Sequence, residues 1–162
     1  MCLFFFFFFP DTATPEIYTR SLPAALPIWM YQVLPQPIVF DADALHALAE
    51  QPEVLTDPGG IRILTPHTGE LQKLLSVSDL PREKLELQAG LMAASNQIVI
   101  CLKGHQTLVT DGHQATHNMT GNPGMATGGS GDVLTGIVTA PISHKLAPFD
   151  AKIGSAPCRE RV

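Results

Sequence analysis

Short apolar runs and helix-spaced stripes alternate along the middle of this chain. Residues 37–45, "PIVFDADAL", are an apolar run ending in acids, and "ALHALAEQ" then places leucines and alanines at helical spacing. That pattern predicts strand, turn and helix. The theme repeats in "PGGIRILTPHTGELQKLL": a turn, a strand over Ile61–Leu64, a Thr-Pro-His break and a helix through Leu75. The helix start falls near Thr68–Leu71, with Glu70 early enough for its charge to suit the helix dipole. In "DLPREKLELQAGLMAASN" the apolar positions Leu85, Leu87, Leu91 and Met92 predict a helix opened by Pro81, with Asp79 as its cap. "QIVICLKG" is nearly continuous in β-branched residues, the mark of a strand buried on both faces. "QTLVTDGHQATHNM" predicts a hairpin turning at Asp111–Gly112. A glycine-rich loop follows, then a helix over about 132–140.

Strands alternating with helices at this spacing predict an α/β fold: a mostly parallel central sheet, helices on both faces, ligands at the carboxyl ends of the strands. The polar clusters all fall at those ends: Asp41 and Asp43, Thr65–His67, Lys103–Gly104, and the loop into Asp132.

The two ends break this pattern. Residues 1–28 show neither helical nor alternating periodicity, and the run Phe4–Phe9 would form an exposed apolar patch. Residues 153–162, "IGSAPCRERV", are equally out of keeping. Back-translated and read on the complementary strand one base out of frame, that tail can yield a peptide agreeing with residues 19–28 at most positions. Both ends read as translated synthetic adapter, which leaves 29–152 as the informative stretch. The apolar run has no basic residue ahead of it and no small-residue cleavage site behind it, so it is not read as a signal peptide.

A chain of 162 residues suits one domain with a core. A net charge of −5 argues against a nucleic-acid or anionic-membrane surface. No stretch approaches the length of apolar sequence that spans a bilayer. Cys2, Cys101 and Cys158 are too scattered for a zinc site or disulfide framework, which points to the cytoplasm. His105, His113 and His117 are not spaced as metal ligands on one helix face and read as exposed strand or hairpin residues, so no protein metal site is predicted. Asn118 and Asn122 read as turn formers.

The chemistry concentrates in "TGNPGMATGGSGDVLTG", residues 120–136, six of which are glycine. Bare backbone lets N–H groups approach an anion, and the helix that follows adds its positive end. An acid at such a mouth has a use if a substrate hydroxyl lies between Asp132 and a bound phosphate. The acid then takes the proton while the loop steadies charge on the phosphoryl group. This is not a Walker loop, since no lysine follows the glycines. The plainer alternative makes Asp132 a helix cap and the glycines a linker.

"GGSGD" ahead of an apolar helix resembles the anion hole and base of ribokinase-like proteins. The longer "GNPGMATGGSGDVLTGIV", together with "VFDADAL", "ILTPHTGEL" and "CLKGHQTLVTDG" in the same order, resembles the NAD(P)H-hydrate dehydratases. These enzymes use ADP or ATP to phosphorylate the added hydroxyl of hydrated NADH or NADPH. Loss of that phosphate restores the dihydronicotinamide. The resemblance implies that Asp132 is the base and touches the hydrate, that His67 holds the hydrate, and that Gly131 contacts the nucleotide. It further implies that Gly128, Gly129, Ser130 and Gly131 form the anion hole, and that Lys103, Gly104, His105, Gln106 and Thr107 wrap the adenine nucleotide. The family often carries Ala-Gly where this chain has His105–Gln106, a departure that bears on side-chain contacts there and leaves backbone contacts open. Asp41 either orients substrate or magnesium-bound water or caps a helix; Asp43 reads as the cap. Mg2+ is expected with the nucleotide, and a homo-oligomer is compatible with the family.

Family members also carry elements before "PQPIVFDADAL" and after "DVLTGIV", so this chain is expected to be a partial domain with unpaired sheet edges and uncovered apolar faces. The alternatives are a ribokinase-like kinase for a small alcohol and a non-catalytic nucleotide-binding fragment.

Overall fold

The predicted alternation is present in the computed structural model, which describes residues 22–119 and 129–143. In chain order the elements are α1 (Leu22–Val33), β1 (Ile38–Phe40), α2 (Asp43–Glu50), a 3-10 turn (Pro52–Thr56), β2 (Arg62–Leu64) and α3 (Thr68–Leu74). They continue with α4 (Arg82–Asn96), β3 (Val99–Leu102), β4 (Leu108–Thr110), β5 (Ala115–His117) and α5 (Ser130–Ser143). The strands pair in sequence order, β1-β2-β3-β4-β5. β1, β2 and β3 run parallel, joined through α2 and α3–α4, and the β4–β5 hairpin is antiparallel. The turn at Asp111–Gly112 is as expected: Asp111 Oδ1 accepts from the backbone N–H of His113 and Gln114 at 2.9 and 2.7 Å.

Side-chain alternation along the strands divides the interior into two layers. Phe40, Leu64, Ile100, Leu102 and Leu108 point into the larger one, where they meet Tyr31 of α1, Leu45 and Leu48 of α2, Leu71 and Leu74 of α3, and Leu85 and Ala89 of α4. Ile63, Val99, Cys101 and Val109 point the other way, onto Leu134 and Val138 of α5. β3 is buried at all four positions, which explains its unbroken apolar composition. Truncating a fully buried side chain such as Ile100 to alanine in a layer of this kind costs about 2–5 kcal/mol. Among the described residues no helix is long and apolar enough to cross a membrane.

Four expectations are corrected. Leu22–Ile28, read as patternless, belong to α1, whose Met30 and Tyr31 are buried and whose Ile28 packs on the core. On α4 the buried stripe is Leu85, Ala89, Met92 and Ala93, whereas Leu87 and Leu91 face solvent. Residues 85, 89, 92 and 93 share one face at helical spacing, and Leu87 and Leu91 fall on the opposite one. Asp79 does not cap α4: Pro81 occupies that position with no side-chain hydrogen bond. Asp43 likewise lies inside the first turn of α2, behind Ala42.

The amino ends of the strands are locked by a buried cation. Arg62 starts β2 and is fully buried. Its Nε donates to the Tyr31 carbonyl at 2.7 Å, Nη1 to the Gln36 and Ile61 carbonyls, and Nη2 to those of Met30 and Leu34. These carbonyls belong largely to the last turn of α1 and the chain leaving it, so the guanidinium caps a helix end where the dipole favours positive charge. It also lies 5.6 Å from the Tyr31 ring centroid. Burial lowers the Arg62 pKa from its usual value, opposed by Tyr31, and burial raises that of Tyr31. The Tyr31 hydroxyl is satisfied by the Leu55 carbonyl at 3.0 Å.

Candidate active site

At the carboxyl ends of β1, β2 and β3 the chain exits are tied to one another. Thr65 donates through its backbone N–H and its hydroxyl to the Phe40 carbonyl, at 3.1 and 3.2 Å. Lys103 donates its N–H to the Pro66 carbonyl at 2.7 Å. Hydrogen bonds that would otherwise end with the ladder are thus continued for one residue, which fixes where the next side chains start. Those side chains are Asp41, His67 and Lys103.

His67 is the N-cap of α3. Its Nδ1 accepts from the N–H of Gly69 and Glu70 at 3.0 and 3.2 Å, and Glu70 Oε2 accepts from the His67 N–H at 2.7 Å. This is a capping box with imidazole in the place usually taken by serine or threonine. Nδ1 must accept, so the neutral ring carries its proton on Nε2, which faces Glu70 Oε1 at 3.4 Å. The side chain remains 58% exposed and so can meet a ligand while holding the helix.

Lys103 joins the three exits electrostatically. Its Nζ lies 2.7 Å from Asp41 Oδ1 and 3.7 Å from the nearly buried Glu70 Oε2. Asp41 Oδ2 accepts from the Thr135 hydroxyl at 3.0 Å, so the carboxylate bridges the lysine to the second turn of α5. The first turn of α5 then sits over the pair: a Cβ on Gly131 would stand 3.8 Å from Asp41 Oδ2 and 3.9 Å from Lys103 Nζ. Gly129, with φ +82, turns the chain into this helix through a conformation other residues resist. Its carbonyl accepts from the Val133 N–H at 3.2 Å. The positive end of α5 is therefore directed at the spot where the strand exits meet, an arrangement suited to an anion.

Of the expected site residues, Lys103 and Gly131 are brought together, with Gly129 and Ser130 alongside in the same turn and His67 tied in through Glu70. The backbone of Asp132 lies in the first turn of α5; its side chain, like all of Gly128, falls outside the described residues. In the turn after β3, His105 and Gln106 are exposed and the Thr107 hydroxyl donates to the Gly104 carbonyl at 3.1 Å. Gln106 has φ +53, which accounts physically for the glycine that the resembling pattern carries there. Three participants were missed or under-read. Glu70 was legible from its spacing three residues after His67, as in a capping box. Thr135, which donates to Asp41, and Arg82, whose guanidinium donates to the Lys103 and Leu102 carbonyls, left no signal in these roles, because those partners are distant in sequence.

Fold and site together define a ribokinase-like α/β domain with a glycine-fronted helix facing the ends of parallel strands. A ribokinase-like superfamily protein from Enterococcus faecalis shares this fold at a TM-score of 0.61 and 26% identity, over 83% of this chain and 46% of that one. Within that class, the model of the NAD(P)H-hydrate dehydratase family matches residues 26–161, and the chain belongs to this family. The bifunctional NAD(P)H-hydrate repair enzyme of Moorella thermoacetica is 46% identical over 142 residues, which are 85% of this chain and 25% of that protein. The ADP/ATP-dependent NAD(P)H-hydrate dehydratase of Bacillus subtilis, co-crystallised with ATP and Mg2+, superposes with a TM-score of 0.63 at 34% identity. That likeness covers 74% of this chain and 42% of the Bacillus one. The chain thus spans about a quarter of the Moorella relative's length.

Proposed function

We propose that this chain carries the nucleotide-dependent dehydratase site of an NAD(P)H-hydrate repair enzyme, working in the cytoplasm. The observation that supports it most is the convergence of three strand exits and the positive end of α5 around the Asp41–Lys103 pair. In this reading the hydroxyl of (S)-hydrated NADH or NADPH attacks the terminal phosphorus of ADP or ATP. The bond from that phosphorus to the nucleotide breaks, releasing AMP or ADP. Asp132 takes the hydroxyl proton, and the backbone of Gly128, Gly129, Ser130 and Gly131 steadies the charge on the transferring group. The ring-nitrogen lone pair then expels phosphate, and a proton leaves the adjacent carbon to restore the dihydronicotinamide double bond. His67 contacts the hydrate, and Lys103–Thr107 receive the nucleotide.

Asp41 and Glu70 already share the Lys103 ammonium, and among the described residues no group of three or more His, Cys, Asp or Glu could hold a metal ion. Mg2+ would arrive with the polyphosphate, whose oxygens are the kind of ligand that ion prefers.

The test incubates the protein with hydrated NADH and ADP or ATP, in parallel with a panel of small alcohols. Recovery of NADH with matching phosphate release is expected, and Asp132→Asn lowers the rate by about 100-fold or more. Accumulation of a phosphorylated alcohol with no NADH regained overturns the proposal in favour of a small-alcohol kinase.

A further inference from the structure

The turn after β3 is gripped from outside by a residue to which the proposed reaction gives no part. Arg82 opens α4, and its Nη1 and Nη2 donate to the carbonyls of Lys103 and Leu102 at 3.0 and 3.2 Å. Its Nε donates to Glu86 Oε1 at 2.8 Å, one helical turn on. The other Glu86 oxygen lies 2.9 Å from His117 Nε2 on β5. A planar guanidinium can meet two successive carbonyls and a carboxylate at once because its five N–H groups are rigidly splayed. A lysine in its place could not.

The fit at Gly104 is specific to this arrangement. Gly104 has φ +143, and a Cβ there would stand 2.8 Å from Arg82 Nη1. The guanidinium thus fills the space that any side chain at this position would need. The turn is also fastened by the Lys103 N–H on the Pro66 carbonyl at 2.7 Å, the Asn118 N–H on the Thr107 carbonyl at 2.9 Å, the Thr107 hydroxyl on the Gly104 carbonyl at 3.1 Å and the ion pairs of Lys103 with Asp41 and Glu70. By fixing the Lys103 carbonyl, Arg82 also fixes the root of the side chain that reaches Asp41.

We propose that Arg82 is a positioning residue, clamped by Glu86 and His117, that holds the Lys103–Thr107 turn in the shape that receives the adenine nucleotide. This rests on the reading of that turn as the nucleotide site. The experiment compares the full chain with Arg82→Ala, Arg82→Lys and Thr107→Val. It measures amide hydrogen exchange across residues 103–107 and ADP affinity by calorimetry, with circular dichroism as the folding control. Loss of the charged donor is expected to speed exchange in the turn and weaken ADP binding about tenfold in Arg82→Ala. Arg82→Lys keeps the charge without the fork and falls in between. Where turnover is measured, the nucleotide KM rises while kcat at saturating nucleotide stays within about twofold.

Unchanged exchange in both Arg82 variants overturns the positioning role. So does unchanged ADP affinity in them while Thr107→Val weakens it. Faster exchange with ADP affinity unaltered in all three variants instead moves the nucleotide elsewhere, which defeats the underlying site reading and leaves the clamp standing. If Arg82→Ala fails to fold, Arg82→Lys carries the same comparison.

Discussion

Arg62 and Lys103 stand at opposite ends of the parallel strands, and both are largely withdrawn from water, yet the molecule holds them in different ways. Arg62 is surrounded by carbonyls of Met30, Tyr31, Leu34, Gln36 and Ile61. Lys103 is held by the side chains of Asp41 and Glu70, with Thr135 bonded to the far side of Asp41. Backbone dipoles cannot titrate or swing aside, so the Arg62 nest is a permanent fastening between α1 and β2. Carboxylates and an ammonium on rotatable stems can exchange partners when a charged ligand arrives. The first arrangement suits stability and the second suits a site.

The largest way to break this contrast is Arg62→Met. It leaves several buried carbonyls without a donor, and the stability loss should reach about 3 kcal/mol or more in urea denaturation. ADP affinity of the folded fraction should be unchanged. A loss below about 1 kcal/mol would mean that the nest is not a fastening.

Lys103→Met should invert the pattern. With 21% of the lysine side chain exposed, the stability cost is expected at about 1–2 kcal/mol, while ADP affinity falls roughly tenfold. Asp41→Asn combined with it should be less than additive, with a coupling of about 1 kcal/mol in a double-mutant cycle. Full additivity would show that the pair does not act as a unit.

The smallest effect sharpens the comparison through acid. Partial burial pushes the Glu86 carboxyl up, but hydrogen bonds and charge from Arg82 and His117 outweigh it and hold the group below its usual value. Asp111 is likewise held low, its burial outweighed by the N–H groups of Gln114 and His113. A carboxylate with a lower pKa in the folded state than in the unfolded one adds stability above its unfolded value. That contribution fades as pH falls through the depressed folded value. Stability should therefore decline on acidifying below about 4.5, the unfolded range of Glu86. Glu86→Gln should make the decline shallower in a pH series of thermal melts, whereas Arg62→Met should only shift it downward.

How much of this could be read in advance follows from the range of each interaction. Strand and helix order, the hairpin at Asp111–Gly112 and the glycine-led entry to α5 were legible because short-range pattern and turn chemistry decide them. The resemblance picked out four segments, and the three that hold β1, β2 and β3 end at one place. Helix faces were less legible. Leu87 and Leu91 have the same spacing as a core stripe, and only packing of α4 on the sheet decided that the opposite face, with Leu85, Ala89 and Met92, is buried instead. The opening turn of α1 was missed because Pro27 interrupts its pattern; the helix is retained by its contacts with the core.

By itself, then, the sequence determined the alternation of elements and the glycines that lead into α5, and it named the residues proposed for chemistry there. Tertiary structure alone decided that Lys103 would meet an aspartate sixty-two positions away, and that Thr135 would meet the same aspartate across ninety-four. It also decided that Arg82 would grip the end of β3. Local patterns carry no information about such pairs. Their energy arises only when folding brings distant groups together and removes the water that would otherwise solvate each one alone.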